Sequence, residues 1–233
     1  MAELLKVMDI MSDMDNYYKE LYRILGKYVG QSVLDAGCGN GDFLFLMRGK
    51  KTLVGVDYEK SIIERTKKKL GKYRNMHFFH GDLSDPKFRS LIRKFKFDTV
   101  FSINVIEHIK DDRTTIKNLA SLLQPDGTLI ILVPGMSSLY GSIDKSVGHY
   151  RRYDKESLIA KVKEHNMEIV DAFYLKILEA LGYYVVGKVL KKQLSSYEKR
   201  LKFYNKLIPF VWRIENLFRL PCGSSVVCIA KKK

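Results

Sequence analysis

The chain has 233 residues, 46% of them hydrophobic, enough to bury the core of one α/β domain and too many for a scaffold that depends on staples. Cys38, Cys222 and Cys228 form an odd set without repeated spacing, no Cys/His cluster has metal-ligand spacing, and no cleavable signal opens the chain; these features predict a reduced, cytoplasmic protein with no metal. The formal net charge of +15 admits nucleic acid or an anionic membrane as partner and does not choose between them.

In chain order, residues 1–30 read as a helical segment. Alternating extended and helical patterns then predict strands at 32–35, 52–56, 76–79, 97–103 and 128–133, with helices at 41–48, 62–70, 86–94 and 113–123 between them. Ser61 and Glu64 have capping-box spacing, which places a helix start at Ser61. Gln124-Pro125-Asp126-Gly127 reads as a turn into the fifth strand, because proline fixes one φ and glycine frees another. A long polar connection follows from Pro134 to Tyr153, then a helix at 154–164 and two further strands at 167–174 and 225–230. The interval between those two strands is helical, basic and aromatic: from Tyr174 to Lys233 there are 13 Lys and Arg against three acidic residues. The expected fold class is α/β, a mostly parallel seven-stranded sheet with helices on both faces and a helical elaboration before the last strand.

Val33-Leu34-Asp35-Ala36-Gly37-Cys38-Gly39-Asn40-Gly41 runs from a strand into a helix through three alternate glycines, which let a ligand lie directly on the backbone. Asp57 stands twenty residues after Gly37, at the end of the next strand, where a carboxylate accepts ribose hydroxyls. A nicotinamide dinucleotide site would need a third glycine at position 42, which is Asp42, a charge that repels pyrophosphate. No Lys-Ser or Lys-Thr pair follows the glycines either, so a triphosphate-cradling loop is excluded. A cofactor with a positive centre and no phosphate fits better.

These segments, with Gly81-Asp82 and the stretch from Phe97-Asp98 onward, resemble the successive motifs of class I S-adenosylmethionine-dependent methyltransferases, over roughly residues 32–133. The resemblance implies a Rossmann-like fold and S-adenosylmethionine as cofactor. It implies contacts to the glycine loop at Gly37, Gly39 and Gly41, with Asp35 toward the methionine end. Asp57 is implied at the ribose, Tyr58 beside the adenine, Asp82 at the adenine amino group with Leu83 packing nearby, and Asn104 along the methionine portion. The whole chain is then expected to be a single methyltransferase domain. Its parts are an N-terminal helical segment (1–30), a cofactor-binding core (31–135), the remaining sheet and acceptor-side connection (136–175 and 224–233), and the elaboration (176–223).

Methyl transfer is an in-line displacement for which alignment supplies much of the acceleration, and a base helps when the acceptor is a hydroxyl. Asn104-Val105-Ile106-Glu107-His108 is similar to the matching segment of small-molecule O-methyltransferases, including those of quinone biosynthesis. His108 is either a base or cofactor-pocket residue, or it caps the following helix or bonds a neighbouring loop. His149 is the second candidate base, in Gly148-His149-Tyr150-Arg151-Arg152-Tyr153; Tyr150, Arg151, Arg152 and Tyr153 either bind an anionic or sugar-bearing acceptor or are structural, the arginines pairing with Asp144 or Asp154 while the tyrosines cover the sheet edge.

The expected partner is a small-molecule, lipid-linked or glycan-related acceptor methylated at oxygen. The apolar, cationic stretch 207–220 reads either as a cap over the pocket, as a dimer surface, or as an interfacial helix on the inner face of an anionic membrane. RNA methylation is the alternative, weakened by the absence of an Asn/Asp-Pro-Pro-aromatic motif after the fourth strand. A non-catalytic cofactor-binding scaffold is the third reading. The sequence does not assign an oligomeric state.

Overall fold

The computed structural model describes residues 2–191, 198–215, 217–218 and 220–233. Helices α1 (Ala2–Ser12) and α2 (Asp15–Leu25) precede a sheet whose first half alternates strand and helix. That half runs β1 (Ser32–Ala36), α3 (Asp42–Leu46), β2 (Thr52–Asp57), α4 (Lys60–Leu70), β3 (Met76–His80), α5 (Phe88–Ile92), β4 (Phe97–Ile103), α6 (Asp112–Leu122) and β5 (Leu123–Pro134). Then come α7 (Ser142–Val147), α8 (Lys155–Lys163), β6 (Met167–Leu175), α9 (Ile177–Tyr183), a π-helical turn (Tyr184–Val189), α10 (Glu198–Glu215) and β7 (Ser225–Lys232). The strands form one seven-stranded sheet in the order β3-β2-β1-β4-β5-β7-β6, with only β7 antiparallel to its neighbours. This is the expected mostly parallel, Rossmann-like arrangement.

Strands that read as continuous apolar runs are divided between two cores by their period of two, as expected for a sheet covered on both faces. Leu34, Val100, Leu129 and Ile131 face α5, α6 and α8 through Ile92, Leu119 and Leu158. Val33, Phe101, Ile130 and Leu132 face α2, α3 and α10 through Leu21, Phe43 and Trp212. The elaboration is fastened to the N-terminal segment: Asn205 on α10 accepts from the Tyr17 amide at 3.2 Å, and the Tyr17 and Trp212 rings meet edge to face at 5.4 Å.

Two local expectations are revised. Ser61 does not cap α4; the helix begins at Lys60, Glu59 is its N-cap, and no side-chain cap bond is made there. Its entry is set by Asp57, whose Oδ1 accepts from the Glu59 amide at 3.0 Å. The Gln124–Gly127 turn does not precede the strand but lies within β5: the partners of β4 jump from Phe97↔Leu123 to Thr99↔Thr128, and the four intervening residues bulge out with Asp126 at φ 61°. The 134–153 connection is also more ordered than a loop. It contains a 3-10 turn (Ser137–Leu139) and α7, whose start is closed by Asp144 accepting from the Gly141 amide at 2.9 Å.

Candidate functional site

The strand order reverses between β1 and β4, and a cavity of about 1170 Å³ opens there at the carboxyl ends of the strands. The loop after β1 forms one wall. Gly37 at φ +90° and Gly41 at φ +73° occupy the left-handed region. A Cβ on Gly37 would stand 2.2 Å from Val105 Cγ2, so that position requires glycine for space as well as for its φ, while at Gly41 the φ is the stronger reason, the nearest atom being the tip of Leu70 at 2.6 Å. Asp57 locks the loop by accepting from the Gly39 amide at 2.9 Å.

Asp35, Asp57 and Asp82 line this side of the cavity, together with Asp42 and Glu59. Burial, and after it the nearby Asp57, pushes the Asp35 carboxyl up to about 7. Burial also raises Asp57, against the pull of the Glu59 and Gly39 amides. A buried carboxyl whose ionisation is hindered by a second one is part of a poor site for phosphate and a good one for a cation. Asp42 is engaged elsewhere, with Lys69 and with Ser12 Oγ at 2.8 Å.

Other expected cofactor contacts are also on this wall. Asp82 lines it but uses Oδ1 to hold a local turn, accepting from the Ser84 amide at 2.8 Å and Ser84 Oγ at 2.6 Å. Leu83 is buried beside it, and Tyr58 is 65% exposed at the rim. Asn104 sits at φ 53° after β4, its Nδ2 donating to Tyr17 Oη at 3.4 Å. Tyr17 Oη also accepts from the buried Lys176 Nζ at 2.9 Å, so a chain of polar groups crosses the cavity floor from β4 to the elaboration.

The N-terminal helix α1 covers the glycine loop. Arg65 pairs with Asp9 at 3.0 Å and donates to Asn40 Oδ1 at 2.6 Å, while Asn40 Nδ2 donates to Ser12 Oγ at 2.5 Å. Met8 and Met11 thereby join the lining.

On the β4 side, a 3-10 turn at Ile106–His108 presents Glu107 and His108. The Tyr150 amide donates to the Glu107 carbonyl at 2.8 Å, bringing His149 across until the two imidazoles meet edge to face at 4.6 Å. His149 Nδ1 lies 2.9 Å from Asp144 Oδ1, which also accepts from Arg152 Nε at 2.8 Å. Burial would raise Asp144, but the hydrogen bond from His149, the Arg152 guanidinium and the Gly141 amide hold it below the usual carboxylate range. An ionised Asp144 is only an acceptor, so Nδ1 carries a proton toward it, and Nε2 lies 3.9 Å from Glu107 Oε1. Burial, and then His149, pushes the His108 imidazole down to about 4. Burial pushes the Glu107 carboxyl up to about 8.

Of the expected acceptor residues, His149 and the half-exposed Tyr150 line the cavity. Arg151, Arg152 and Tyr153 are not among its walls; their polar groups are directed at the protein itself. Arg151 donates to the Ile109 and Lys110 carbonyls and pairs with Asp112 at 3.1 Å. Arg152 is buried on Asp144 and the Gly135 carbonyl and lies over the Tyr183 ring at 4.5 Å. Tyr153, 2% exposed, donates to Asp112 Oδ2 at 2.8 Å. The sequence reading gave no role to Glu107, Tyr17 or Lys176, and it named Asp144 only as an alternative partner for the arginines, the pairing that Arg152 makes. Glu107 carried the one available signal, a carboxylate in a turn directly after a buried strand.

The profile of the family described as "Methyltransferase domain" matches residues 27–197. The chain belongs to that family. It is 22% identical over 152 residues to a protein of Mycolicibacterium smegmatis named a probable S-adenosylmethionine-dependent methyltransferase, covering 64% of this chain and 56% of that one. It is 25% identical over 198 residues to phosphoethanolamine N-methyltransferase 1 of Triticum aestivum, covering 78% and 36%. The chain thus spans about half or less of the length of these curated relatives. A solved S-adenosylmethionine-dependent methyltransferase of Archaeoglobus fulgidus shares the fold at TM-score 0.61 and 21% identity, over 94% of each chain. These likenesses give the chain a methyltransferase domain on the fold of solved S-adenosylmethionine-dependent methyltransferases, and they do not single out the quinone-biosynthesis branch. The carboxylate-lined glycine wall fits S-adenosylmethionine, which is cationic and carries no phosphate.

Proposed function

We propose that the chain methylates an oxygen of a small-molecule, lipid-linked or glycan-related acceptor. The observation that carries this reading is His149, oriented through Nδ1 by a buried carboxylate with its second nitrogen left at the cavity. S-adenosylmethionine supplies an electrophilic methyl group when bound. Asp57 accepts from its ribose hydroxyls, Tyr58, Asp82 and Leu83 hold the adenine, and Asp35, Asn104 and the amides of Gly37, Gly39 and Gly41 hold the methionine portion. His149 takes the proton of the acceptor hydroxyl while Asp144 stabilises the resulting imidazolium. His108, kept neutral by its burial, packs edge-on against His149 and fixes its plane, and Tyr150 covers the acceptor from the rim.

A lipid-linked acceptor is supported by the outer face of α10. Phe203, Leu207, Phe210 and Ile214 form one exposed helical stripe, flanked by exposed Lys199, Lys206 and Arg213. Such a face suits peripheral contact with anionic lipid; among the described residues no helix is long and apolar enough to cross a membrane.

The test incubates the chain with methyl-labelled S-adenosylmethionine and cell extract, then counts lipid, small-molecule, RNA and protein fractions. Label in the lipid or small-molecule fraction, lost in His149→Asn while cofactor binding persists, is the expected result. Label confined to RNA establishes the nucleic-acid reading, to which the net charge of +15 lends support. Cofactor binding without label in any fraction establishes a scaffold.

A further inference from the structure

We propose that Glu107, His108 and His149 bind a divalent transition-metal cation on the β4 side of the cavity. This deepens the proposed function and rests on its acceptor oxygen, with the cation in place of the free His149 imidazole as the group that activates that oxygen. One ligand atom from each of the three residues lies within 4.8 Å of the other two. Glu107 is fully buried, yet among the described residues neither carboxyl oxygen has a hydrogen-bond partner. A buried carboxyl normally finds partners, because leaving its oxygens bare costs the full desolvation penalty. Here both oxygens lack such a partner among the described residues, and two imidazoles stand alongside.

The surroundings are those of a ligand set. A metal-binding histidine typically donates its other ring N–H to a carboxylate, which fixes the tautomer and strengthens the free nitrogen as a ligand. Asp144 does this for His149, and Asp144 is itself held by Arg152 and the Gly141 amide. The two segments are joined by the Tyr150-to-Glu107 backbone bond of 2.8 Å, so the three ligands are held at nearly fixed separation. Metal–nitrogen and metal–oxygen bonds of roughly 2.0–2.2 Å would need the group to close by about an ångström, within the reach of side-chain rotation.

Two imidazoles and one carboxylate select zinc, manganese, iron(II) or cobalt over magnesium and calcium, which prefer all-oxygen shells. Three protein ligands leave positions open toward the cavity for an acceptor hydroxyl. In the loaded protein the Nε2 lone pair of His149 is committed to the cation, and the hydroxyl binds the cation and loses its proton to solvent water. The O–CH₃ bond then forms as the C–S bond breaks, and that electron pair stays on sulfur. The sequence reading expected no metal because two of the ligands are adjacent and the third is supplied by a distant connection.

The test strips the full chain with a chelator and titrates it with Zn²⁺, Mn²⁺ and Mg²⁺ by calorimetry, with Co²⁺ absorption as a spectroscopic readout. One Zn²⁺ or Mn²⁺ per chain is expected, with Mg²⁺ much weaker. Glu107→Gln, His108→Ala and His149→Ala should each weaken binding at least tenfold, and Asp144→Asn by about tenfold, acting through His149. Thermal melts and cofactor isotherms identify folded variants. Failure of the parent to bind a single equivalent, or unchanged binding in folded His108→Ala and His149→Ala, overturns the proposal. If no metal binds but His149→Asn still abolishes methyl transfer, the metal site alone falls. If metal binds and no extract fraction is labelled, the metal site stands and the acceptor reading falls.

Discussion

Asp35 is 3% exposed at the end of β1 and titrates near 7 instead of 3.8, because burial and the Asp57 charge disfavour its ionised form. Between those two values the unfolded chain releases this proton while the folded chain keeps it, so this group makes folding stability fall as pH rises from about 4 to 7. A cationic cofactor prefers the ionised form, which gives cofactor affinity the opposite trend. Calorimetry should show affinity rising up to about tenfold between pH 6 and 7.5, and Asp35→Asn should flatten the profile. A flat profile in the parent would separate Asp35 from the cofactor. Arg152 gives a second residue-scale prediction, since its side chain and that of Asp144 are each 1% exposed. Arg152→Ala strands a buried carboxylate and should destabilise the fold by about 3 to 5 kcal/mol, read by denaturant unfolding. Arg151→Ala, at 28% side-chain exposure, should cost much less. Equal losses would contradict the distinction. In the sequence these two arginines are indistinguishable, because what separates them is a partner on α7 for one and carbonyls of the post-β4 turn for the other.

Among the elements, α1 is the one whose role the sequence concealed. Residues 1–30 read as helical, but nothing local shows that α1 lies across the glycine loop; that depends on Arg65 and Asn40, far along the chain. Ile10 is buried on α1, while most of its described residues are only partly covered, so it contributes little to the core. Deleting residues 2–12 should leave the melting temperature nearly unchanged and weaken cofactor binding about tenfold, mostly through faster release. Stopped-flow release kinetics check this; an unchanged off-rate means α1 is not a cover. The α4 start and the β5 bulge illustrate the same limit from the other side. Ser61 has cap spacing, but the Asp57 carboxylate has already fixed the entry, and the proline-glycine turn is absorbed into a strand because β4 offers partners on both sides of it.

At the scale of the molecule, the parallel sheet was legible because each strand-helix unit carries its own period, and the cofactor wall because its glycines and Asp57 lie close in sequence at fixed spacing. The β4 side was not, since His149, Asp144 and Glu107 meet only through the 134–153 connection, and Lys176 and Tyr17 only through the packing of the elaboration on α2. The reversal of strand order at β1 and β4 puts both sides around one cavity, and the account depends on that cavity holding S-adenosylmethionine against Asp57. The direct measurement is calorimetric titration of the chain and of Asp57→Ala with S-adenosylmethionine. One site per chain is predicted, with affinity reduced in the variant by about 1.5 to 3 kcal/mol for each charged hydrogen bond lost. Unchanged affinity in a folded Asp57→Ala, or tight binding of a nicotinamide dinucleotide by the parent, would contradict it.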